Sequence, residues 1–425
     1  MTRLATRRQR FAAIASTFAL AGTVLVGCGA AGDATAASSA TTSAATGSST
    51  TSTTSTSAAE TTATAIDTHY DEDDLTWDTS QEVAVTLADG ESSAASGATV
   101  DGDTVTITEG GVYRISGTLS DGQVVVAAPE DQSVTLILDN ATITNSSGSA
   151  ISVLSADEVT IFLAESSTNA VTDGASYTVA DDATPVAAIA SAADLTIAGT
   201  GSLSVTGTTN DAISSADGLV IVSGTIEVTA ADDGIRGKDY VQILDGDITI
   251  TSGGDAVKSD NTEDADRGWV RVDGGTLSIN AGDDGITGER AVDITSGTVT
   301  INESAEGIES QALTISGGTV TVTASDDGLN GTALSATAGT GGTEQDDNSL
   351  VTISGGTLTI TAGSDGIDAN GSVALSGGTI TITTSGGGGG GNGPVDANGT
   401  IELTDAQVIA NGTTITSADQ LGHRR

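Results

Sequence analysis

The sequence predicts an all-β protein folded as a right-handed parallel β-helix, with three short strands in each coil of about 22 residues and a β-rich N-terminal cap. A repeat of that length runs through the C-terminal half. Within a unit such as 225–230, aliphatic side chains fall on every second residue, as in a strand with one buried face. Aromatic residues make up only 2% of the chain, which favours a narrow, regular core of aliphatic residues.

Two short motifs mark the repeat. An acidic residue, then Gly or Ala, then an aliphatic residue recurs, and a Gly-Thr-aliphatic motif recurs in step with it. We predict regular coils over 199–425, with insertions near 260–268 and near 335–349. The less regular but strand-rich 66–198 is predicted to form a cap and the first coils, because an open end would expose strand edges.

The N-terminus predicts export. Four arginines within residues 1–10 precede an apolar run over 11–26, which is typical of a signal peptide over 1–27. The run ends in Leu-Val-Gly-Cys, which resembles the lipobox of bacterial lipoproteins and implies a lipidated Cys28. Residues 28–65 are rich in Ser, Thr and Ala and predict a disordered linker. We therefore expect a lipid-anchored protein on the extracellular face of the bacterial cell membrane, held there by the anchor only.

The charge and the cysteine count exclude several classes of function. The 425 residues include 57 Asp or Glu and 13 Lys or Arg, for a net charge of −44. A protein that binds a nucleic-acid backbone needs a basic surface, so no nucleic acid is expected as a partner. A single Cys excludes a disulfide framework and any site built from several thiolates.

Stacked coils would place the repeated acids in columns with a spacing of about 4.8 Å. Each neighbouring pair of like charges would then repel by about 4 kcal/mol near a protein surface. Hydrogen bonds from turn amides, protonation or bound cations must relieve that repulsion. Two interpretations stay open, an Asx turn at each Asp and bridging by Ca²⁺. The main column and a second, partial one comprise Asp211, Asp233, Asp255, Asp284, Glu306, Asp327 and Asp365, and Asp232, Asp283 and Asp326.

The insertion at 259–268 is a further candidate for Ca²⁺, because it offers five acids or amides within seven residues. The alternative is a solvated acidic loop. Calcium is the only cofactor that the sequence predicts. Its predicted ligands are Asp232, Asp233, Asp255, Asp260, Asn261, Glu263, Asp264, Asp266, Asp283 and Asp284.

Cations and aromatic residues concentrate in three consecutive coils. Arg236 and Lys258 each follow the aliphatic residue of the acidic motif, so we expect them to be neighbours in adjacent coils. A basic and aromatic patch on an acidic protein predicts a site for a sugar chain, and the alternative is that these cations only neutralise nearby Asp. The predicted ligand-binding residues are Arg236, Lys238, Tyr240, Lys258, Trp269 and Arg271.

The amino-acid sequences of segments 231–239 and 258–269 resemble those of a known family. Segments 110–119 and 138–144 resemble it as well. This is the bacterial surface carbohydrate-binding domain of clostridial cellulose- and pectin-binding type, with a right-handed parallel β-helix fold. The resemblance implies calcium bound along the helix, binding of polysaccharide of acidic or plant type, and a shape like that of polysaccharide lyases without established catalysis.

Two other functions stay open. In a pectate-lyase-like enzyme, Ca²⁺ would acidify a uronate C5 proton and Arg236 or Lys258 would act as the base. Carboxylates next to these cations hold them protonated, so the sequence favours a non-catalytic protein and assigns no catalytic residue. The other function is a structural or adhesive surface rod.

Overall fold

The computed structural model describes four stretches of the chain, all within one compact unit, Ala65–Arg425. They are residues 67–177, 185–334, 346–385 and 393–422. These stretches contain 36 β-strands and three short 3₁₀-helices but no α-helix, so the all-β prediction is confirmed. None of the helices in this part of the chain has the length and apolar character that a membrane crossing needs.

Several predictions concern residues outside these stretches. The signal peptide over 1–27, the lipidation of Cys28 and the linker over 28–65 lie outside the described residues, as does most of the second insertion. They stay predictions, as do the domain boundaries.

Most strands fall into three columns, in which each strand pairs in parallel with strands of the preceding and following repeats. In the first column the strands are Thr104–Ile107, Gln123–Ala127, Ile151–Ser155, Ala187–Ser191, Asp211–Ser215, Ile235–Gly237, Val257–Ser259, Ile286–Ile294, Ile308–Ile315, Leu329–Gly331, Ile367–Ala369 and Val395–Ala397.

Two of these strands, Ile286–Ile294 and Ile308–Ile315, are long enough to continue into the second column. The other strands of the second column are Val83–Leu87, Gly111–Leu119, Val134–Thr144, Glu158–Leu163, Asp194–Gly199, Gly218–Ile221, Tyr240–Ile243, Trp269–Val272, Leu350–Ile353, Ser372–Leu375 and Ile401–Leu403.

In the described residues, the third column contains ten strands, six of which begin at the Thr of the Gly-Thr motif. They are Thr168–Thr172, Ser202–Gly207, Thr225–Ala230, Asp247–Ser252, Thr276–Ala281, Thr298–Glu303, Thr319–Ala324, Thr357–Ala362, Thr379–Thr384 and Gln407–Ala410.

Antiparallel pairs occur at the two ends of the columns. At the N-terminal end, Ser93–Ala94 pairs with the first strand of the second column, and Ala98–Asp101 pairs with the first strand of the first column. At the C-terminal end, Thr413–Ile415 folds back on the last strand of the third column through a two-residue turn, Asn411-Gly412, in which both residues have positive φ. The 3₁₀-helix Ala418–Gln420 follows. The sequence gives no obvious sign of a C-terminal cap, because this ending is short and departs from the repeat. The remaining 3₁₀-helices, near the N-terminal end, are Glu72–Leu75 and Thr79–Gln81.

The core follows the predicted alternation. In the strand Thr225–Ala230, the side chains at 226, 228 and 230 are buried and those at 225, 227 and 229 are exposed. Inward aliphatic residues of all three columns form one hydrophobic cluster from Val85 to Leu421. A narrow core of stacked Val, Ile and Leu therefore runs through the repeats, as the composition predicts.

The glycine of the Gly-Thr motif has a steric role. Gly275, Gly297, Gly318, Gly356 and Gly378 have φ between 76° and 84°, a region that side-chain-bearing residues rarely adopt. A Cβ on Gly356, for example, would lie 2.7 Å from the carbonyl oxygen of Gly317 in the preceding repeat. The turn into the third column is therefore restricted to glycine.

Candidate functional site

The repeated acids lie where the chain enters the first strand column, and the Asp residues of the main column are buried. Asp211, Asp233 and Asp255 are 3%, 5% and 4% exposed. The backbone amides of five of these acids each donate a hydrogen bond to the carboxylate one repeat earlier. These N–O distances are 3.3 Å for Asp233 on Asp211, 3.0 Å for Asp255 on Asp233, 3.0 Å for Asp284 on Asp255, 3.3 Å for Glu306 on Asp284 and 2.7 Å for Asp365 on Asp327.

This ladder corrects the interpretation of the repeated Asp as an Asx turn. The carboxylate oxygen bonds to an amide of the next repeat, 22 residues further on in the case of Asp211 and Asp233, rather than to its own turn. Amide donors stabilise a charged carboxylate, which offsets part of the repulsion along the column.

Burial nevertheless penalises the charged form of these acids. Burial first, and then the charge of Asp233, together raise the pKa of Asp211 to about 7. Burial also raises the pKa of Asp233, and Lys258 partly opposes that shift. The column therefore favours protons or cations close to its carboxylates.

Two adjoining groups of carboxylates could hold a metal ion. Asp255, Asp283 and Asp284 have oxygens within 4.8 Å of one another, as have Asp284, Glu306 and Glu309. Asp284 belongs to both groups. Burial, followed by the charges of neighbouring acids, raises the pKa of Asp284, Glu306 and Glu309. We call these the double acidic cluster.

A third group lies further along the first column. Asp365, Asp368 and Asp396 also have oxygens within 4.8 Å of one another. Asp368 and Asp396 are register partners in adjacent strands, so the parallel pairing itself brings their side chains together. We call this group the terminal acidic cluster.

The donor chemistry of both clusters fits Ca²⁺, which prefers carboxylate oxygens on a rigid frame. The sequence between Arg290 and His423 contains no Lys, Arg or His. This stretch therefore supplies no basic side chain that could balance the negative charge of Glu306, Glu309 and the terminal acidic cluster.

The acids of the insertion at 259–268 have other partners. Asp260 forms a two-oxygen ion pair with the guanidinium of Arg236, at 2.8 to 3.1 Å. The Asn261 amide donates to Asp239 Oδ1 at 2.5 Å, and Glu263 lies 3.4 Å from Lys238 Nζ. In the described part of the chain, none of the predicted ligands Asp260, Asn261, Glu263, Asp264 and Asp266 belongs to a carboxylate group of metal-binding geometry.

The two predicted metal ligands at the start of the column also differ from the clusters. Asp232 and Asp233 belong to none of the three carboxylate groups. Lys258 Nζ lies 3.1 Å from Asp233 Oδ2 and 2.9 Å from Asp255 Oδ2, so an ammonium group is placed where a cation would bind. Of the ten predicted ligands, Asp255, Asp283 and Asp284 are brought together.

The predicted neighbours Arg236 and Lys258 are register partners in the first column. Tyr240 and Trp269 are partners in the second column, with their rings stacked at 4.7 Å and 8° apart in plane. Arg271 is bound to Asp273 at 2.7 Å. The predicted patch is therefore divided between two columns, and its cations Arg236, Lys258 and Arg271 are engaged by carboxylates.

Tyr240 is only 2% exposed, which leaves no open face for a sugar. Its hydroxyl accepts a hydrogen bond from the His69 amide and bonds to His69 Nδ1, both at 2.8 Å, and the Arg267 guanidinium lies 5.1 Å from its ring centroid. His69 Nε2 bonds to Thr196 at 2.8 Å. The segment that precedes the first strand thus packs over this ring, and we leave Tyr240 out of the ligand-binding residues.

Sequence reasoning missed several residues of the site. Glu306 and Asp365 are in the predicted column but were not assigned as ligands, and Glu309, Asp368 and Asp396 were not singled out. The parallel register contains a signal for the last three, because Glu309, Asp368 and Asp396 each follow the same inward aliphatic position as Lys258.

Comparisons with known proteins were made for the whole chain. The chain is similar to the structure described as "polysaccharide lyase-like protein from C. thermocellum, Gadolinium derivative", with 34% identity, coverage of 56% of this chain and 93% of that chain, and a TM-score of 0.49. No curated protein matches it. The family model of carbohydrate-binding domain-containing proteins matches residues 101–345 and 333–421, which is well over half of the sequence. The chain therefore belongs to the family of carbohydrate-binding domain-containing proteins.

Proposed function

We propose that the protein is a non-catalytic, calcium-dependent polysaccharide-binding protein. We further propose that its three strand columns wind into a right-handed parallel β-helix. Membership of a carbohydrate-binding family supports the ligand class. The observation that carries the calcium dependence is the convergence of carboxylates in the two acidic clusters, where Glu306, Glu309 and the terminal acidic cluster lie in a stretch without basic side chains.

The residues that would hold Ca²⁺ are those of the clusters. Asp255, Asp283, Asp284, Glu306 and Glu309 form one candidate site or two adjoining ones, and the terminal acidic cluster forms another. When bound, Ca²⁺ supplies positive charge and further coordination positions that sugar oxygens can occupy.

Alternate side chains of the first column form one row in register, in which Thr287 and Asp396 are buried and the others are partly exposed. Arg236, Lys258, Thr287, Glu309 and Asn330 follow one another in register, and Asp368 and Asp396 continue the row. A polysaccharide lying along this row would meet the ion-paired cations first and the acidic clusters next. The regular spacing suits an extended polymer better than a compact ligand.

One observation disfavours the lyase alternative. Burial lowers the pKa of Lys258, but the charges of Asp255 and Asp233 outweigh burial, so the pKa is raised overall. Burial also lowers the pKa of Arg236, and there the charge of Asp260 contributes most to an overall rise. A general base must lose its proton near the working pH, and these groups hold theirs.

Pull-down with insoluble polysaccharides, with and without a calcium chelator, tests the proposal. We expect binding that chelation weakens strongly and Ca²⁺ restores, and that the double variant Asp284→Asn, Asp368→Asn also weakens. The loop variant Asp266→Asn, which removes a carboxylate outside the clusters, serves as the matched control. Binding that ignores the chelator would exclude the calcium dependence, and no binding to any polysaccharide would favour the structural or adhesive rod.

We also propose that the protein is anchored to the extracellular face of the bacterial cell membrane through a lipid on Cys28. The signal-like residues 1–27 and the Leu-Val-Gly-Cys ending support this. Mass spectrometry of the membrane-bound protein should find an acylated Cys28 at the N-terminus. Release of the Cys28→Ser variant into the medium is expected, and an unchanged membrane fraction would contradict the proposal.

A further inference from the structure

A cleft of about 510 Å³ opens near the N-terminal end of the first column, away from both acidic clusters. Its walls include residues from the strands Gln123–Ala127 and Ile151–Ser155 and from the turns that enter them. This volume lies within the range of small-molecule binding pockets in proteins. In register, Val125 and Ser152 of the cleft belong to the same row as Arg236 and Lys258, with the buried Ala190 and Ser214 between them.

The cleft combines an exposed apolar surface with polar groups. Leu154 is 46% exposed, the highest value among the four exposed large hydrophobic residues of the described chain. Tyr177 and the largely buried Val125 also line the cleft. Apolar side chains with a few fixed polar groups are the usual lining of a binding pocket, and a sugar ring presents C–H groups to such a surface.

The polar groups of the cleft are held in place before any ligand binds. Asp121 Oδ1 accepts hydrogen bonds from the amide and the hydroxyl of Ser146, at 2.9 and 2.8 Å. The Asn145 side chain donates to Ser149 O at 2.8 Å and accepts from the Ser147 amide at 3.0 Å. Groups that are fixed in advance lose little freedom on binding, which favours affinity.

The charge of the lining selects among sugars. Asp103 and Asp121 line the cleft, and the described lining residues include no Lys, Arg or His. The Ser146 hydrogen bonds lower the pKa of Asp121, so it is an ionised acceptor at neutral pH. Carboxylates accept hydrogen bonds from sugar hydroxyls and repel the carboxylates of uronic acids.

We propose that this cleft is a binding subsite for a neutral sugar unit, which stacks on Leu154 and Tyr177 and donates its hydroxyls to Asp121. This proposal rests on the proposed polysaccharide binding, and it assigns a class of sugar to the cleft. It contains none of the acidic-cluster residues, so its affinity does not depend on calcium.

Calorimetric titration of the full-length protein tests the subsite, with cellohexaose, xylohexaose and mannohexaose as neutral probes and hexagalacturonate as the charged probe, each in chelator. We expect at least one neutral probe to bind and the charged probe to bind at least about tenfold more weakly. Leu154→Ala and Asp121→Asn should each weaken the neutral probe by about tenfold. Leu350→Ala, which truncates an equally exposed leucine outside the cleft, should leave it unchanged.

The subsite is overturned if no neutral probe binds, if the charged probe binds as well, or if Leu154→Ala and Asp121→Asn bind like the wild type. Each variant alters an exposed or partly exposed side chain, and an unchanged melting temperature checks that it folds. Insoluble polysaccharide binding that requires Ca²⁺ and persists in Leu154→Ala would overturn the subsite and leave the proposed function standing. Loss of polymer binding in the wild type would instead contradict the proposed function.

Discussion

Two stretches of the same acidic column differ in how their charge is balanced. In the ion-paired stretch, residues 233–273, basic side chains meet the acids: Lys258 bridges Asp233 and Asp255, and Arg236 binds Asp260. In the cation-free stretch, residues 291–396, the sequence contains no Lys, Arg or His. Asp284 lies between the two stretches in the sequence and belongs to both groups of the double acidic cluster.

The difference shows that the charge of the same acidic motif can be balanced in two ways. The backbone ladder of amide and carboxylate is the same in both stretches, with N–O distances of 3.0 Å at Asp255 and 2.7 Å at Asp365. The ion-paired stretch carries its own counter-charges, whereas the other depends on protons or on cations from solution. Calcium dependence should therefore belong to the second.

The largest expected effect comes from removing the internal cation. Lys258→Met keeps the side-chain length but leaves Asp233 and Asp255, whose side chains are 7% and 6% exposed, without the ammonium group. We expect the free energy of unfolding to fall by about 3 kcal/mol, because a buried charge pair loses one partner. Urea unfolding in chelator measures it.

Lys238→Met is the matched control for that variant. The Lys238–Glu263 pair is solvent-exposed, with side chains 38% and 80% exposed. Exposed pairs contribute about 1 kcal/mol or less, so this loss should be small. Equal losses in the two lysine variants would show that Lys258 does not balance the buried acids.

The next largest effect is stabilisation by Ca²⁺ at the acidic clusters, in the cation-free stretch and at Asp284 just before it. Saturating Ca²⁺ should raise the melting temperature, since a ligand at about 100 times its dissociation constant adds about 2.7 kcal/mol per site. Asp284→Asn removes the carboxylate that the double acidic cluster shares and should remove the larger part of that increment. Differential scanning calorimetry of this variant and of Asp266→Asn makes the comparison. An increment as large in Asp284→Asn as in Asp266→Asn would place calcium outside the double acidic cluster.

The pH dependence of stability tests the column itself. Because burial raises the pKa of Asp211 to about 7, the native state binds more protons than the unfolded state between about pH 4 and about pH 7. Stability contributed by this group is therefore lost as the pH rises through that window, by about 2 kcal/mol from about pH 5 to about pH 7. Asp211→Asn keeps an acceptor for the Asp233 amide and should flatten this dependence in urea unfolding. An unchanged slope would contradict it.

The smallest expected effect is at the aromatic contact of the ion-paired stretch. Tyr240→Phe removes the hydroxyl that bonds to His69 and should cost about 1 kcal/mol of local stability. Limited proteolysis should then cut the segment around His69 faster. Tyr113→Phe, which loses its bonds to the Gly97 and Glu109 carbonyls, should leave that rate unchanged. Equal rates in all three proteins would argue against this contact as the anchor of the segment.

The sequence contains enough to predict the strands, the inward aliphatic residues and the register partners Arg236 and Lys258. These follow from periodicity, because parallel pairing aligns equivalent residues of adjacent repeats. The column of repeated acids follows from the same repeat, whereas its burial is seen only in the structure.

Contacts that do not follow the repeat could not be predicted. The ion pair of Arg236 with Asp260 depends on how an insertion folds back, and His69 reaches Tyr240 across 171 residues. The cleft near Leu154 combines turns of several irregular N-terminal repeats. Periodicity gives no information on such side chains, because each occurs once.

The ladder of amides and carboxylates has a consequence for folding. Each carboxylate offers an acceptor to the repeat that follows, so a formed repeat is a template on which the next can order. Folding of such a chain approximates growth in one dimension, with an energy term for each nearest neighbour. Whole repeats could then be deleted or duplicated within 276–384 with a gain or loss in proportion to their number, whereas half a repeat would misalign every acceptor beyond it.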